Sequence, residues 1–193
     1  MKSRPVPHPR SVRGATLIVA LVLLIVVTLL GVASLRGVIL QEKMAANQYD
    51  RNLAFQAAEA ALRAGEAAAL AQAQAATPNA GFPSHKYPDD DPDPNACNLQ
   101  PCVAGTGLCG MPDPMCEAPW DQQPAANWAT VSGSLGSLAG TPRYLVEYMG
   151  IGFPCNPGNP YTAMTCKLYR VTAKSAPGTD RAEVTLQSMF TAP

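Results

Sequence analysis

An uncharged, strongly apolar run between Gly14 and Leu35 constrains the fold of this chain more than any other feature of its sequence. As an α-helix, this run is roughly 33 Å long at about 1.5 Å per residue, which is enough to cross the hydrocarbon core of a bilayer. The segment ahead of it has no acid, and its basic residues are Lys2, Arg4, Arg10 and Arg13. Because such a leader stays in the cytoplasm, we predict membrane insertion with the following chain on the opposite side.

The apolar run is open to two interpretations, a retained anchor or a cleaved secretory signal. The small residues Gly31 and Ala33 lie just ahead of Ser34, which would allow a signal peptidase to cut before Ser34. Retention is favoured, because no proline occurs between Pro9 and Pro78 and because Ala, Leu, Glu and Gln are prominent in the part after the run. We therefore predict one helix over residues 15–76, of which residues 15–35 span the membrane.

A stripe of apolar residues in the predicted helix recurs at spacings of three, four or seven. This spacing places the side chains on one helical face, so we expect that face to pack on the rest of the exported chain, near residues 57–68. Glu59 and Arg63 lie four residues apart, a spacing that allows an ion pair in water. The stripe comprises Leu35, Ile39, Ala46, Tyr49, Leu53, Ala57, Ala60, Ala64 and Ala67.

After the helix the composition becomes that of loops and strands. Residues 77–128 contain ten prolines, which exclude helices and central strands over most of that stretch. Alternating β-branched and aromatic residues predict strands at 143–149, 167–174 and 182–190, with a turn at 176–180. The predicted fold class is α+β: a long N-terminal helix, transmembrane and then exported, packs on a small C-terminal antiparallel sheet. A disulfide-rich, proline-rich loop region lies between them.

The six cysteines are even in number and all lie on the exported side, which predicts disulfides in an oxidising compartment. A loop-rich segment has little apolar surface to bury, so covalent links would stabilise it. We favour a Cys155–Cys166 bond and local pairs among the other four. Zinc is the alternative, but the C-x4-C-x6-C-x6-C spacing lacks the close pairs typical of zinc sites. Those four are Cys97, Cys102, Cys109 and Cys116.

An acidic run in the loop region resembles a calcium site only in part. Asp89, Asp91 and Asp93 alternate with other residues like the opening of an EF-hand loop. Pro94 stands where that loop needs a glycine, and Gln100 stands where it needs a glutamate. A solvated loop is therefore the favoured interpretation, and calcium is a weak alternative.

No pattern of residues indicates catalysis. The sequence lacks the nucleophile-elbow, phosphate-loop and zinc-protease motifs, and neither His8 nor His85 has a recognisable partner. Apolar residues make up 47% of the chain and charged residues 15%, which argues against a disordered chain or one that coats nucleic acid. We expect a structural or interaction protein without a cofactor, not an enzyme.

Two motifs give the chain a family resemblance. A basic leader, then GATLIV at residues 14–19, then an apolar helix resembles the type III signal of type IV pilins and pseudopilins. The stretch RNLAFQAAEAAL at residues 51–62 resembles the PilX minor pilins and, more distantly, PilV, as does the short ending YRVTAKS…AEVTLQSMF. The resemblance implies that a prepilin peptidase cuts between Gly14 and Ala15 and methylates the new amino terminus.

That cut would separate a leader, residues 1–14, from the helix and from an exported domain at residues 77–193. The resemblance also implies a place in the bacterial inner membrane, as a single-pass protein, and then in the periplasm and the pilus. The implied partners are the membrane, the prepilin peptidase, other minor pilins, the major pilin, the inner-membrane assembly platform and a large tip adhesin. Nucleic acid is not among them. The implied roles are pilus assembly, twitching motility and adhesion.

Val19 departs from the usual pilin pattern. Most pilins have Glu at this fifth mature position, where it is thought to pair with the amino terminus of a neighbouring subunit in the apolar filament core. An unpaired ion there is costly, so the pair favours docking in register, and Val19 cannot form it. PilX-like proteins commonly share this absence with GspK, a pseudopilin placed at the tip of its filament. The resemblance thus implies a role at initiation or at the tip.

Other functions are open at this point. A GspK-like pseudopilin of a type II secretion system is one, although that class usually carries a larger inserted domain than 193 residues allow. A secreted, disulfide-rich binding protein released before Ser34 is another, and a single-span enzyme anchor is a third.

Overall fold

The structure is a computed structural model, and its elements confirm the α+β class. The chain divides into two compact units, one up to Asn47 and one from Gln48 to Pro193. Outside the described residues lie Gly14, both histidines, the acidic run and the predicted turn at 176–180. The described residues are 15–83, 96–98, 101–117, 119–131, 140–156, 158–159, 165–175 and 181–193.

The long helix, α1, runs from Ala15 to Ala73. It begins at the predicted residue and ends three residues before the predicted end. Lys167 donates from Nζ to the carbonyl oxygens of Ala73 (3.5 Å) and Pro193 (2.9 Å), which places a cation at the C-terminal end of α1. Asn79 then takes a positive φ of 62°, a conformation that Asn tolerates better than most residues, and its amide donates back to the carbonyl of Gln72 (3.0 Å).

The buried face of α1 differs from the predicted stripe. Among the stripe residues whose side chains the structure describes, Ala57 alone is buried, whereas Tyr49 is 63% exposed and Ala67 is exposed. Ala fills about half of the positions from 54 to 73 and occurs on every side of the helix, so apolar character does not distinguish one face from another, and the size of the side chain decides the packing instead. The residues that face the sheet are small and recur every three or four positions: Ala54, Ala58, Ala61, Gly65, Ala69 and Ala73.

The sheet has six strands, and it is mixed, whereas an antiparallel sheet was predicted. β4, β5 and β6 form antiparallel pairs, in the order β4-β5-β6. The short strand β2 runs parallel to β4, and β3 pairs with the same edge of β4 nearer its start. The strands are β1 (Cys102–Val103), β2 (Leu108–Cys109), β3 (Ala129–Thr130), β4 (Arg143–Phe153), β5 (Cys166–Lys174) and β6 (Thr185–Ala192).

Each face of the sheet has its own core. The inner face packs Val146, Tyr169 and Val171 against α1 and Phe82. The outer face packs Leu145 against Trp128 and Cys109, which belong to the proline-rich segment. That segment also contains a short helix, α2 (Pro119–Gln122), and a 3-10 turn, Ala125–Asn127. The loop region is thus a cover for the outer face of the sheet.

Gly65 sets how closely α1 approaches the sheet, because a Cβ there would lie 2.4 Å from Cγ1 of Val171. We expect Gly65→Ala to lower the melting temperature, since overpacking costs about 1–3 kcal/mol and the gain in helix propensity returns only about 1 kcal/mol. Thermal unfolding of the full chain in detergent would measure this through Trp fluorescence. Gly37→Ala is the matched control, because a Cβ at Gly37 meets nothing within 4 Å. Equal melting temperatures for the two variants would contradict the role assigned to Gly65.

Candidate assembly surfaces

The first part of α1 is an apolar surface with no partner among the described residues of its own unit. Every residue from Ala15 to Ser34 is exposed, and the mean hydropathy of the most apolar window is 3.0. By length and composition, α1 can cross a membrane. Water would not tolerate an exposed apolar surface of this size, so lipid or other apolar helices must cover it.

The residues linked to processing lie at the beginning of this surface. Ala15 is the first residue of α1 and the first residue that the structure describes. Val19 is 58% exposed, one turn further on. Ser34, the residue after the alternative cleavage point, lies inside α1, and its Oγ donates to the carbonyl of Leu30 (2.9 Å). The apolar helix therefore continues without a break through the place where a signal peptidase would cut.

A carboxylate on α1 holds the connection that leads into β6. Oδ2 of Asp50 accepts the amide of Ala182 (2.8 Å), and Oδ1 accepts Nε of Arg181 (2.7 Å) as well as Nη2. The Ala182 amide, followed by the Arg181 guanidinium, lowers the pKa of the Asp50 carboxyl below its ordinary value. No local sequence pattern predicts this contact, because the two partners lie 131 residues apart.

The six cysteines form three disulfides, which confirms the predicted disulfide-rich character of the region after α1. Cys155 bonds to Cys166, the pair favoured above, and links the end of β4 to the start of β5. The other two bonds, Cys97–Cys116 and Cys102–Cys109, lie within the segment that covers the sheet. Asp113 supports the first of these loops, because its buried carboxylate accepts the amides of Asn98 and Met115 (2.8 Å each).

Basic side chains and tryptophans alternate on the outer face of the sheet. Arg170 makes a two-point ion pair with Glu147 (2.6 and 2.8 Å), and its guanidinium lies 4.8 Å from the ring centroid of Trp120. Arg143 and Lys174 each lie 5.3 Å from the ring of Trp128. These cations are held by rings and carboxylates of the same chain, so the arrangement fixes the cover in place.

The described part of the chain contains no candidate metal centre. Among those residues, no group of three or more His, Cys, Asp or Glu side chains could hold a metal ion. A shallow cavity of about 320 Å³ lies between Trp120, Met149 and Arg170, but Arg170 is already committed to Glu147. The Asp89, Asp91 and Asp93 calcium candidate lies outside the described residues.

An exposed apolar helix that continues into a small disulfide-stabilised α+β domain is the architecture expected of a type IV pilin. A family model described as PilX N-terminal matches residues 13–63, and one described as type IV pilus assembly protein PilX C-term matches residues 64–192. The chain belongs to the PilX family of type IV pilus assembly proteins, which confirms the resemblance seen in the two motifs. This family is a structural component of the pilus and is not a known family of enzymes. No curated protein and no solved structure matches the chain significantly.

Removing the charge of Asp50 should destabilise the exported unit in a pH-dependent way. The folded state lowers the pKa of Asp50, so its contribution is present above the unfolded pKa of about 4 and is lost as the pH falls through the folded pKa. We expect Asp50→Asn to lower the melting temperature at pH 7, and the difference from wild type to shrink below about pH 4. Thermal unfolding of the full chain in detergent across this range would measure it.

Glu42→Gln is the matched control, because Glu42 is an exposed acid on the same helix. It should change the melting temperature little at any pH. A destabilisation by Asp50→Asn that stayed constant from pH 7 to pH 3 would contradict the electrostatic explanation.

Proposed function

We propose that this PilX-family protein is a minor pilin that acts at the initiation of the pilus or at its tip. The observation that carries the proposal is Val19, an exposed aliphatic residue at the position where most pilins have Glu. A subunit that begins a filament has no earlier subunit whose amino terminus must be neutralised. A shaft subunit without the carboxylate would instead leave a neighbour's ammonium group unpaired in the apolar core, which is costly.

The same proposal includes processing and topology. Cleavage after Gly14 would leave Ala15, the first residue of α1, as the methylated amino terminus. The apolar part of α1 would hold the protein in the inner membrane with its leader in the cytoplasm. The three disulfides support a non-cytoplasmic exported unit, because such bonds persist in oxidising compartments.

The partners follow from a place in the pilus. They are the prepilin peptidase, the other minor pilins, the major pilin, the inner-membrane assembly platform and a large tip adhesin. Exposed small residues support helix packing of this kind, because a Cβ at Gly31 or at Gly37 would meet nothing within 4 Å in its own chain. Twitching motility and adhesion would then depend on the protein through the fibres that it helps to start.

The position in the fibre can be tested by immunogold electron microscopy of pili from cells that produce an epitope-tagged full chain. We expect the label at fibre ends, because a subunit with Val19 lacks the pair that holds shaft subunits in register. An antibody against the major pilin is the control and should label the whole shaft. Uniform labelling of the shaft by the tagged chain would overturn the tip assignment.

The processing can be tested separately by mass spectrometry of the mature amino terminus. We expect a methylated Ala15, because the GATLIV motif places the cut after Gly14. An amino terminus at Ser34 would instead show secretion by signal peptidase, and retained leader residues would show a plain anchor. Gly14→Leu is the matched variant, and it should block the cut without changing α1.

A further inference from the structure

The outer side of β6 is an unprotected edge of the sheet. β6 is the last strand in the sheet order, and within the described residues no strand pairs with its other side. The strand, Thr185–Ala192, has no charge, proline or glycine, and its register with β5 has no bulge. Natural proteins usually shield such an edge with charges, prolines or bulges, because an open edge pairs with other strands. The opposite edge is blunted, since β1 and β2 have two residues each and a disulfide joins them.

The backbone groups on this open edge can be assigned from one hydrogen bond. The amide of Ser175 donates to the carbonyl of Val184 (2.9 Å), just before the β5–β6 ladder. Bonded and non-bonded pairs alternate along an antiparallel ladder, so every second residue of β6 from Leu186 onward bonds to β5. The amides and carbonyls that point outward therefore belong to Thr185, Gln187, Met189 and Thr191.

The side of α1 that flanks β6 adds one carboxylate, that of Glu66, and two apolar side chains to this edge. Oγ of Ser188 donates to Oε1 of Glu66 (2.8 Å), so the side of α1 that carries Glu66 faces β6. Leu62 and Phe55 lie four and eleven residues earlier, on the same side of the helix. Phe55 is 45% exposed, and it lies beyond residues 15–35, the segment predicted to span the membrane.

The inner face of β6 is also incompletely covered. Phe190 packs on Tyr169 with ring centroids 6.4 Å apart, and Leu186 points to the same face, yet both are only half-buried. We use the name edge groove for the outward backbone of β6 together with Phe55, Leu186 and Phe190. The groove combines free hydrogen-bonding groups with uncovered apolar side chains.

We propose that the edge groove accepts an extended strand from another exported polypeptide of the pilus, which adds to the sheet as a seventh strand. The outward amides and carbonyls would form the ladder, as in other cases of strand addition. β6 has no charged residue that could pair with a charged strand, and Phe55, Leu186 and Phe190 favour a strand with apolar side chains at alternate positions. This inference rests on the proposed function, because it requires the chain to be a pilus subunit.

The test compares two substitutions at Gln187 in the full chain, produced in a piliated bacterium that lacks the wild-type copy. Gln187→Pro removes one outward amide and leaves the ladder to β5 intact, since Gln187 bonds away from β5. Gln187→Ala keeps that amide and, like Pro, loses the Nε2 bond to Thr172 (2.9 Å). A benzoylphenylalanine in place of Thr185 crosslinks whatever lies on the edge, and electron microscopy counts the fibres.

We expect Gln187→Pro to reduce the crosslinked product at least about tenfold relative to Gln187→Ala, because it removes a ladder bond and places a ring on the edge. The fibre count should fall with it, while the melting temperatures of the two variants stay equal. In the purified complex, amide hydrogen exchange should slow at the four outward residues compared with the isolated chain. If Gln187→Pro does not fold, the pair Met189→Pro and Met189→Ala makes the same comparison.

Equal crosslinking and equal fibre counts for the Pro and Ala variants would overturn the proposal. A product with twice the mass of the chain would also overturn it, because a second copy would then occupy the edge. Failure of the proposed function gives a different result: fibre counts would not change when the whole chain is removed or restored. If the wild-type chain restores fibres and Gln187→Pro restores them equally well, only the edge groove is refuted.

Discussion

The close approach of α1 to the sheet is the constraint on which the rest of the exported unit depends. The helix face consists of Ala and Gly, so each residue buries little apolar surface, and the sheet must supply the large side chains. Tyr148, Tyr169 and Phe82 form a contacting ring cluster, with centroids 5.5–5.8 Å apart. Burial, together with the neighbouring Tyr148, raises the pKa of Tyr169 to about 12, and its hydroxyl donates to Oδ1 of Asn79 (2.6 Å). The hydroxyl of Tyr169 therefore stays protonated, and able to donate to Asn79, at physiological pH.

The outer face of the sheet is stabilised by different means. The segment that covers this face has no helix longer than four residues in its described part, and its three two-residue strands pair within the sheet itself. Disulfides and cation–ring contacts stabilise this segment on the sheet. Arg170 lies over the ring of Trp120, and Arg143 lies over the ring of Trp128. Both faces of the sheet thus have a cover, although that of β6 is incomplete, and among the described residues no strand pairs with the outer edge of β6.

The sequence predicted the features that follow from composition and period. A proline-free, uncharged beginning predicted the long helix, and alternation predicted the three long strands. Which face of the helix is buried could not be predicted, because alanines occur on every side of it. The buried face is the one with the smallest side chains, including Gly65, and hydropathy does not reveal it. The Asp50–Arg181 contact and the parallel pairing of β2 with β4 depend on the folded chain path, and no local pattern encodes them. The absence of Glu at position 19 is visible in the sequence. The edge position of β6 could be identified only from the order of the strands in the folded sheet.

Glycine has two opposite uses along α1, and together they link the fold to assembly. Gly65 packs against its own chain, where Val171 and Tyr144 occupy the space that a side chain would need. Gly31 and Gly37 face open space, although each lowers the intrinsic stability of the helix by about 1 kcal/mol relative to Ala. These two glycines make no close contact within their own chain, so they would allow close approach of two backbones only where a second helix packs against α1. Under the proposed function, that helix would belong to another pilus subunit, which would explain why the apolar part of α1 has small residues that its own chain does not use.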